Sequence, residues 1–421
     1  MTQLEGTSLR TRGKHPAPFE IDLLKEILAQ PTSPFHEQNV ATIACDTACD
    51  IGWDARADHV GNLLITPTPD TQPELILTAH MDHPGFWALE TPSPGRLLAQ
   101  WMGRVPGEAM IDQPVRFWTS GQAITRLPGD WSNPDTSARL GGVTVDGYVR
   151  NLIDSNELDN PSLVEIEIEG EVAPGSIGMW RLDEPRVRDG IIYARAIDDL
   201  AAVAALLIVA QRLSAANEKT NLGILLTRAE EGGFFGAIDY CRNFTNPKDA
   251  PLHVGLEMSM ARGDVAVGTG VVLRVGDRRT TFNPAVTDWE NRVASTLDQS
   301  DPDFGYQRQL MPGGSCESTI FEAFFGRAGA LCLPLGNYHN VTEDGQIAPE
   351  YIDLSDFRDL VELCIALART PFGGQSELPA FAARWSEYAD RHQHLYTESH
   401  AFADPQRQVV EPSNADIRGT A

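Results

Sequence analysis

Five groups of polar residues in this sequence can bind a metal ion, and each follows an apolar run. They are His80-Met81-Asp82, Asp198-Asp199, Glu230-Glu231, Glu257 and His339. Neutral histidine nitrogen and carboxylate oxygen are donors that zinc accepts, and a carboxylate can bridge two ions. The set therefore indicates a site for divalent metal.

The spacing inside two of these groups indicates distinct roles. In His80-x-Asp82 the carboxylate is placed to accept the second ring N–H of the histidine, which fixes the tautomer. Neighbouring side chains of an extended segment point apart, so Glu230 and Glu231 offer one ligand and one free base. Each residue alone also fits an ordinary role, such as a buried histidine, a helix N-cap at Asp198-Asp199 or a salt-bridge partner. The hypothesis depends on the ordered set, not on one member.

The apolar runs before these groups are typical of buried strands. Residues 74–82 (ELILTAHMD) and 221–231 (NLGILLTRAEE) are almost without polar residues until their ends, and residues 200–216 form a buried helix pattern. Strands that alternate with helices predict an α/β fold with a mostly parallel sheet. In such sheets ligands bind at the carboxyl ends of the strands, where the five groups lie.

The helical pattern is missing between residues 86 and 189. Short β-type runs such as PVRFWTS, GGVTVDGYV and SLVEIEIEG alternate there with turn residues, which indicates a small all-β barrel or sandwich. We therefore expect one α/β catalytic domain, residues 1–85 and 190–370, interrupted by an inserted β domain at 86–189. Residues 371–421 form a C-terminal extension, predicted as a helix followed by disordered residues.

The composition excludes several classes of partner. The 421 residues include 59 acidic and 33 basic ones, a net charge of −26, so nucleic acid and anionic lipid are not expected partners. No stretch approaches the ~20 apolar residues of a membrane helix, and the first twenty residues lack a signal-peptide core. Six cysteines in so long a chain do not make a disulfide framework. We expect a soluble cytoplasmic protein with reduced thiols.

Taken in order, these residues resemble the M42 family of metallo-aminopeptidases, a branch of the zinc peptidases that includes M20 and M28. The resemblance covers about residues 19–370. Its motifs are Gly61-Asn62, His80-Met81-Asp82 with Gly85, Arg195-Ala196-Ile197-Asp198-Asp199, Thr227-Arg228-Ala229-Glu230-Glu231-Gly232, Gly236-Ala237, Gly313-Gly314-Ser315 and Tyr338-His339-Asn340. The β segment at 86–189 matches the family's inserted domain in place and length.

The resemblance implies two divalent ions per subunit, with Zn²⁺ expected and Co²⁺ or Mn²⁺ as alternatives. His80 and Glu257 would bind one ion, Glu231 and His339 the other. Asp198 would bridge both, Asp82 would orient His80, and Glu230 would be the general base. The implied activity is removal of N-terminal residues from peptides. The resemblance also implies a homo-oligomer that assembles through the inserted domain.

Three positions depart from the family pattern. Glu257 stands where M42 members usually have Asp, and Glu is commoner there in the M20 branch. His83 replaces a common Glu, and Gly313-Gly314-Ser315-Cys316-Glu317 replaces Gly-Gly-Thr-Asp. His83 is either an added ligand or substrate contact, or a rim histidine bonded to a carboxylate.

Three hypotheses follow from the sequence. The first is the dinuclear aminopeptidase. The second, motivated by Glu257, is an M20-like metallo-amidohydrolase or deacylase that acts on N-acyl amino acids or other amides. The third is a catalytically silent binding or assembly protein that kept the fold.

Overall fold

The computed structural model describes residues 14–119, 143–155, 161–374 and 378–392. The chain divides into two compact units, Met1–Gly374 and Gln375–Ala421. Within the described ranges, no helix combines the length and the apolar character needed to cross a membrane. The first thirteen residues and the end of the predicted C-terminal extension, from residue 393, lie outside the described residues.

Seventeen strands and nine helices occur in these ranges. The strands are β1 Asp54–Ala57, β2 Leu63–Thr66, β3 Leu75–His80, β4 Gly85–Ser93, β5 Arg96–Met102, β6 Pro114–Thr119, β7 Val143–Ser155, β8 Pro161–Ile168, β9 Ile177–Trp180, β10 Arg186–Arg188, β11 Ile191–Ala194, β12 Leu222–Thr227, β13 Leu252–Met260, β14 Val271–Gly276, β15 Tyr306–Leu310, β16 Ala328–Leu335 and β17 Glu350–Asp353. The helices are α1 Pro18–Leu28, α2 Gln38–Asp50, α3 Gly107–Met110, α4 Leu200–Ala215, α5 Phe235–Arg242, α6 Pro284–Ser300, α7 Glu317–Phe325, α8 Leu354–Arg369 and α9 Leu378–Arg391.

An eight-stranded sheet forms the centre of the first unit, in the order β1-β2-β12-β3-β13-β16-β14-β15. The four central strands β12, β3, β13 and β16 are mutually parallel. Every residue of β3, β12 and β16 is buried, as expected for strands covered on both faces. The predicted α/β fold with a mostly parallel sheet is confirmed, and the carboxyl ends of these four strands meet at one edge.

Helices cover both faces of this sheet. Leu75, Leu77 and Ala79 of β3 belong to the core that includes α1, α4 and α8. Ile76 belongs instead to the core formed with α5 and α7. Consecutive strand residues point to opposite faces, so this alternation separates the two layers. Helix α4 is apolar around most of its circumference because it packs against β3 and against the neighbouring helices α1 and α8.

Six strands close a separate antiparallel barrel in the order β4-β5-β8-β7-β6-β9. Aromatic rings fill its interior, with the centroid of Phe86 4.6 Å from that of Trp101 and 5.0 Å from that of Trp180. The predicted barrel-like β insert is therefore present. The first two residues of the predicted run GGVTVDGYV, 141 and 142, lie outside the described residues.

A small antiparallel sheet, β10-β11-β17, connects the barrel to the second half of the α/β part. Strand β11 leads directly into the loop with Asp198, and Glu350 of β17 pairs in register with Ala194 of β11. This sheet therefore brings β17 next to the loop that precedes α4.

The sequence analysis predicts no element between Met260 and Arg327, where the structure has β14, α6, β15 and α7. The polar face of α6 hides its pattern, since only six of its seventeen residues are buried. The second unit contains α9, on which Phe381, Trp385 and Tyr388 are exposed.

Candidate metal centre

All seven site residues predicted from the sequence lie together at the carboxyl edge of the central sheet. His80 ends β3, Glu230 and Glu231 follow β12, Glu257 lies in β13, and His339 follows β16. Asp198 reaches the same place from the loop between β11 and α4, and Asp82 follows His80. The side chains are each at most 9% exposed.

Asp198 lies between the two histidines. Its Oδ1 atom is 3.5 Å from Nε2 of His80, and its Oδ2 atom is 3.6 Å from Nε2 of His339. Oε1 of Glu257 is 3.8 Å from Nε2 of His80, and Oε1 of Glu231 is 3.2 Å from Nε2 of His339. The donors thus fall into two sets that share one carboxylate.

Backbone carbonyls fix the tautomers of both histidines. Nδ1 of His80 is 3.0 Å from the carbonyl oxygen of Asp82, and Nδ1 of His339 is 3.0 Å from that of Arg104. A carbonyl only accepts, so each Nδ1 donates its hydrogen, and in the neutral ring each Nε2 presents its lone pair to a ligand. Arg104 lies just after β5, so the barrel contributes to the orientation of His339.

The carboxylate of Asp82 has different partners from those expected from the sequence. Its Oδ1 atom accepts from the backbone N–H of Glu230 at 2.9 Å, and Oδ2 accepts from that of Glu231 at 3.0 Å. The same Oδ1 is 3.5 Å from Nδ1 of His80, a longer contact than the one between that ring and the Asp82 carbonyl. Asp82 therefore positions the backbone of both glutamates directly.

A buried ion pair holds the loop that carries these glutamates, and the sequence analysis did not find it. Nε of Arg228 donates to Oε2 of Glu37 at 2.7 Å, and Oε1 of Glu37 accepts from the backbone N–H of Ala229 at 3.0 Å. Arg228 also donates to the carbonyls of Val60 and Phe35, both at 2.6 Å. Glu37 follows a Pro-containing turn and belongs to none of the motifs, so the sequence did not indicate its contact with Arg228.

Asp199 and Glu350 also support the site. Asp199 stands at the N-cap position of α4 but makes no side-chain cap; its Oδ2 accepts from the backbone N–H of His80 at 3.2 Å. Glu350 accepts three backbone N–H groups, from Ile197, Asp198 and His339. Glu350 lies eleven residues beyond His339 in sequence, outside the motifs, and only the pairing of β17 with β11 reveals its place.

His83 and Cys316 do not take ligand positions. Nδ1 of His83 contacts the backbone carbonyl of Asp198, and its Nε2 is 3.1 Å from Oδ1 of Asn340. Among the described residues, neither ring nitrogen has the expected carboxylate as its hydrogen-bond partner. Burial lowers the pKa of His83 to about 4. Burial also raises the pKa of the Cys316 thiol to about 12, so this cysteine is an unreactive thiol.

The carboxylates are crowded and desolvated. Burial, together with the nearby charge of Glu257, raises the pKa of Asp198 to about 8. Burial raises the pKa of Glu230 well above its usual range, and Glu257 and Glu231 add to this effect. Burial lowers the pKa of His339, but Glu231 and Asp198 outweigh it and bring the value to about 10. Such a cluster of acids is stabilised by positive charge.

The site opens into a cavity of about 640 Å³. Its walls come from four places: the strand ends, β5 and the residues after it, the loop at Arg278 and Arg279, and the loop at Gly314 and Ser315. A larger cavity, of about 1220 Å³, lies near the opposite ends of β3, β12 and β13 and contains none of the metal-binding candidates. The metal-binding candidates line the smaller cavity.

The donor set fits divalent metal ions. Three overlapping groups of residues each offer possible ligand atoms that lie within 4.8 Å of one another. The groups are His80 with Glu230 and Glu257, His80 with Asp198 and Glu231, and Asp198 with Asp199 and Glu257. Oδ1 of Asp198, buried between these donors, accepts no hydrogen bond from the described residues. A buried carboxylate oxygen without a partner is expected to bind a cation.

Comparisons with known proteins agree with this fold. A family model for the M42 glutamyl aminopeptidases matches residues 61–347. The Pyrococcus horikoshii TET1 peptidase, which can assemble into a tetrahedron or a large octahedral shell, has a similar structure, with a TM-score of 0.64 and 20% sequence identity over 83% of this chain and 99% of that one. The TET aminopeptidase of the marine sediment archaeon Thaumarchaeota archaeon SCGC AB-539-E09 has a TM-score of 0.65 at 16% identity, over 83% of this chain and 96% of its own.

A curated relative matches a shorter part. Succinyl-diaminopimelate desuccinylase of Xanthomonas oryzae pv. oryzae (strain PXO99A) is 35% identical over 105 residues, which are 24% of this chain and 27% of that protein. The chain thus spans about a quarter of the length of the curated relatives it matches. The family model, in contrast, extends from the Gly61-Asn62 turn, through the barrel, to beyond His339. The chain therefore belongs to the family of M42 glutamyl aminopeptidases.

Proposed function

We propose that this protein is a dinuclear metal-dependent aminopeptidase that removes N-terminal residues from peptides. The observation that carries the proposal is the position of Asp198, whose two carboxylate oxygens face the Nε2 atoms of His80 and His339. That arrangement suits one carboxylate bridging two ions. The membership of the chain in the M42 family supports the same activity.

In this proposal His80 and Glu257 hold one ion, Glu231 and His339 hold the other, and Asp198 contacts both. The longer side chain of Glu257 reaches the site, since its Oε1 is 3.8 Å from Nε2 of His80. Histidine and carboxylate donors favour Zn²⁺, with Co²⁺ or Mn²⁺ as alternatives. Bound ions of this kind polarise a carbonyl and lower the pKa of a coordinated water to about 7.

Glu230 is the proposed general base. It lines the cavity, its Oε2 is 3.9 Å from Nε2 of His80, and Oδ1 of Asp82 fixes its backbone. As a carboxylate beside the proposed ions, it would take a proton from water and return it to the departing amine.

The mutation Glu230→Gln tests this role. Gln keeps the size of the side chain but cannot take a proton, so the rate should fall by roughly 10²–10⁴-fold. Metal content, measured by mass spectrometry of the purified protein, should stay the same. A rate equal to that of the wild type would remove Glu230 from this role. A chain that takes up no divalent ion would contradict the proposal itself.

The alternative, an M20-like deacylase, is less well supported. The desuccinylase match covers 24% of the chain, whereas the family model includes all the proposed ligands from His80 to His339. Aminoacyl anilides and N-acetyl amino acids separate the two activities. The aminopeptidase should cleave only the substrates with a free amine; turnover of the blocked substrates alone would favour the deacylase.

The proposal includes a homo-oligomer that assembles through the inserted β domain at 86–189, between the two parts of a catalytic domain at 1–85 and 190–370. Val143 and Ile153 of β7 support it, since both are more than half exposed on the barrel. The cytoplasm is the proposed location. All six cysteine thiols are free, which is typical of a reducing compartment.

A further inference from the structure

Two loops that are distant in sequence bring the proposed ligands of the second ion together. Residues 195–198 end in Asp198 and connect β11 to α4, while residues 338–340 follow β16 and carry His339. The two loops are not neighbours in the main sheet. Their separation therefore depends on the side chains packed between them.

Three fully buried polar side chains connect these loops, and we call them the clamp: His83, Asn340 and Glu350. Oε2 of Glu350 accepts from the backbone N–H groups of Ile197 at 2.8 Å and Asp198 at 3.0 Å. Its other oxygen, Oε1, accepts from the backbone N–H of His339 at 2.9 Å. One carboxylate thus joins the backbones that carry the two ligands.

The other clamp residues complete the same connection. Nδ2 of Asn340 donates to the carbonyl of Arg195 at 2.8 Å and to that of Ala348 at 3.2 Å. His83 lies beside this amide, and its neutral ring donates its one hydrogen from Nδ1 to the carbonyl of Asp198. The backbone of residues 195–198 is therefore held at both of its ends, by Asn340 at Arg195 and by Glu350 at Asp198.

Glu350 is not a ligand itself, because its oxygens face backbone N–H groups and it does not line the cavity. We propose that the clamp is a positioning device that sets the distance between Asp198 and His339, and with it the affinity for the second ion. This inference rests on the proposed dinuclear site. It predicts that loss of the clamp weakens the ion held by His339 much more than the ion held by His80 and Glu257, because the clamp holds the backbone of His339 as well as that of Asp198.

The test compares Glu350→Gln with Glu290→Gln in the full chain. Gln at 350 has one oxygen for three N–H groups, and its amide would face a donor. Glu290 is an equally buried carboxylate on α6 that does not line the cavity, so its variant is the matched control. Zn²⁺ is titrated calorimetrically into metal-free protein, with His339→Ala and His80→Ala as references for loss of each ion.

The wild type and Glu290→Gln should bind two ions. Glu350→Gln should bind the second about 10–100-fold more weakly, the usual effect of losing support for a metal ligand, and should resemble His339→Ala. A second variant, His83→Ala, should weaken the same ion. The clamp inference is overturned if both variants bind two ions normally, or if both ions are lost equally, including by unfolding seen in circular dichroism. A wild type that binds no ion would instead contradict the proposed function.

Discussion

Backbone groups, more than neighbouring side chains, orient the donors of this site. The ring hydrogens of His80 and His339 both go to carbonyl oxygens, those of Asp82 and Arg104. The carboxylates of Asp82, Asp199 and Glu350 all accept backbone N–H groups. A backbone group cannot change rotamer, so a donor held in this way has a defined direction before metal binds.

The role of Asp82 leads to a prediction. Asp82→Asn leaves one oxygen for the two N–H groups of Glu230 and Glu231, so one glutamate loses its support. We expect the rate to fall by about 10–100-fold, as for other residues that support a metal site, while the ion held by His80 remains. Steady-state kinetics with metal analysis measures this. The exposed Glu74→Gln is the control, and equal rates in both variants would contradict the prediction.

Glu290 gives a prediction on pH. This carboxyl is fully buried, and burial raises its pKa well above the usual range, although Arg308 opposes the shift. The folded protein therefore keeps a proton that the unfolded chain has lost, and the free energy of unfolding decreases as pH rises above about 4.5. Glu290→Gln carries no such proton. Its melting temperature should fall less than that of the wild type between pH 5 and 8, and parallel curves would contradict this.

At the scale of elements, one edge of the sheet receives four of the proposed ligands because β3, β12, β13 and β16 are parallel, and Asp198 reaches the same edge from the loop after β11. The loops beyond that edge lie outside the strands and helices, so they are not held by the regular hydrogen bonds of a sheet or helix. Buried side chains replace them: Arg228 and Glu37 hold the loop after β12, and Glu350 holds the loops after β11 and β16. The site therefore depends on buried polar side chains that hold the backbone of its loops.

Glu37→Ala tests this dependence. It leaves the guanidinium of Arg228 buried without its carboxylate and frees the N–H of Ala229. Removing one partner of a buried ion pair costs about 3–5 kcal/mol, so the free energy of unfolding in urea should fall by that amount. Arg56→Ala breaks the exposed pair with Asp54 and should change it by less than about 1 kcal/mol. Similar small losses in both variants would show that the buried pair does not stabilise the loop.

At the scale of the whole molecule, the barrel contacts the metal site and also presents an exposed apolar surface. It supplies the carbonyl of Arg104 to the site, and Trp118 of β6 stacks on the guanidinium of Arg195, 5.2 Å away, next to the loop of Asp198. It also exposes apolar residues on β7. Damage to the barrel is therefore expected to reach the metal site as well as any contact between subunits.

The proposed assembly can be tested on the barrel surface. Ile153 is 54% exposed, and an aspartate there would place a charge in an apolar contact between subunits. Ile153→Asp should lower the molar mass measured by light scattering after size exclusion. Val187→Asp, on β10 outside the barrel, is the control and should keep the wild-type mass. An unchanged mass in both variants would exclude this face as the interface.

The sequence determined the α/β class and the barrel-like insert, and it predicted the set of candidate metal donors. Apolar runs that end in His80, Glu230 or His339 are local patterns, and each is visible within a few residues. The net charge of −26 also followed from composition, and it argued against nucleic acid and anionic lipid as partners without indicating the reaction.

Only the tertiary structure decided how those donors are held. Glu37, Arg104 and Glu350 act through contacts with segments far away in the chain, and no periodicity or motif marks such contacts. The hydrogen bonds of the Asp82 carboxylate differ from the expected bond to His80 for the same reason. The N–H groups of Glu230 and Glu231 reach this carboxylate only when β3 and β12 lie side by side. The local sequence shows which side chains can bind a metal or donate a hydrogen bond. Which of the possible partners each side chain contacts is set only when the chain is packed.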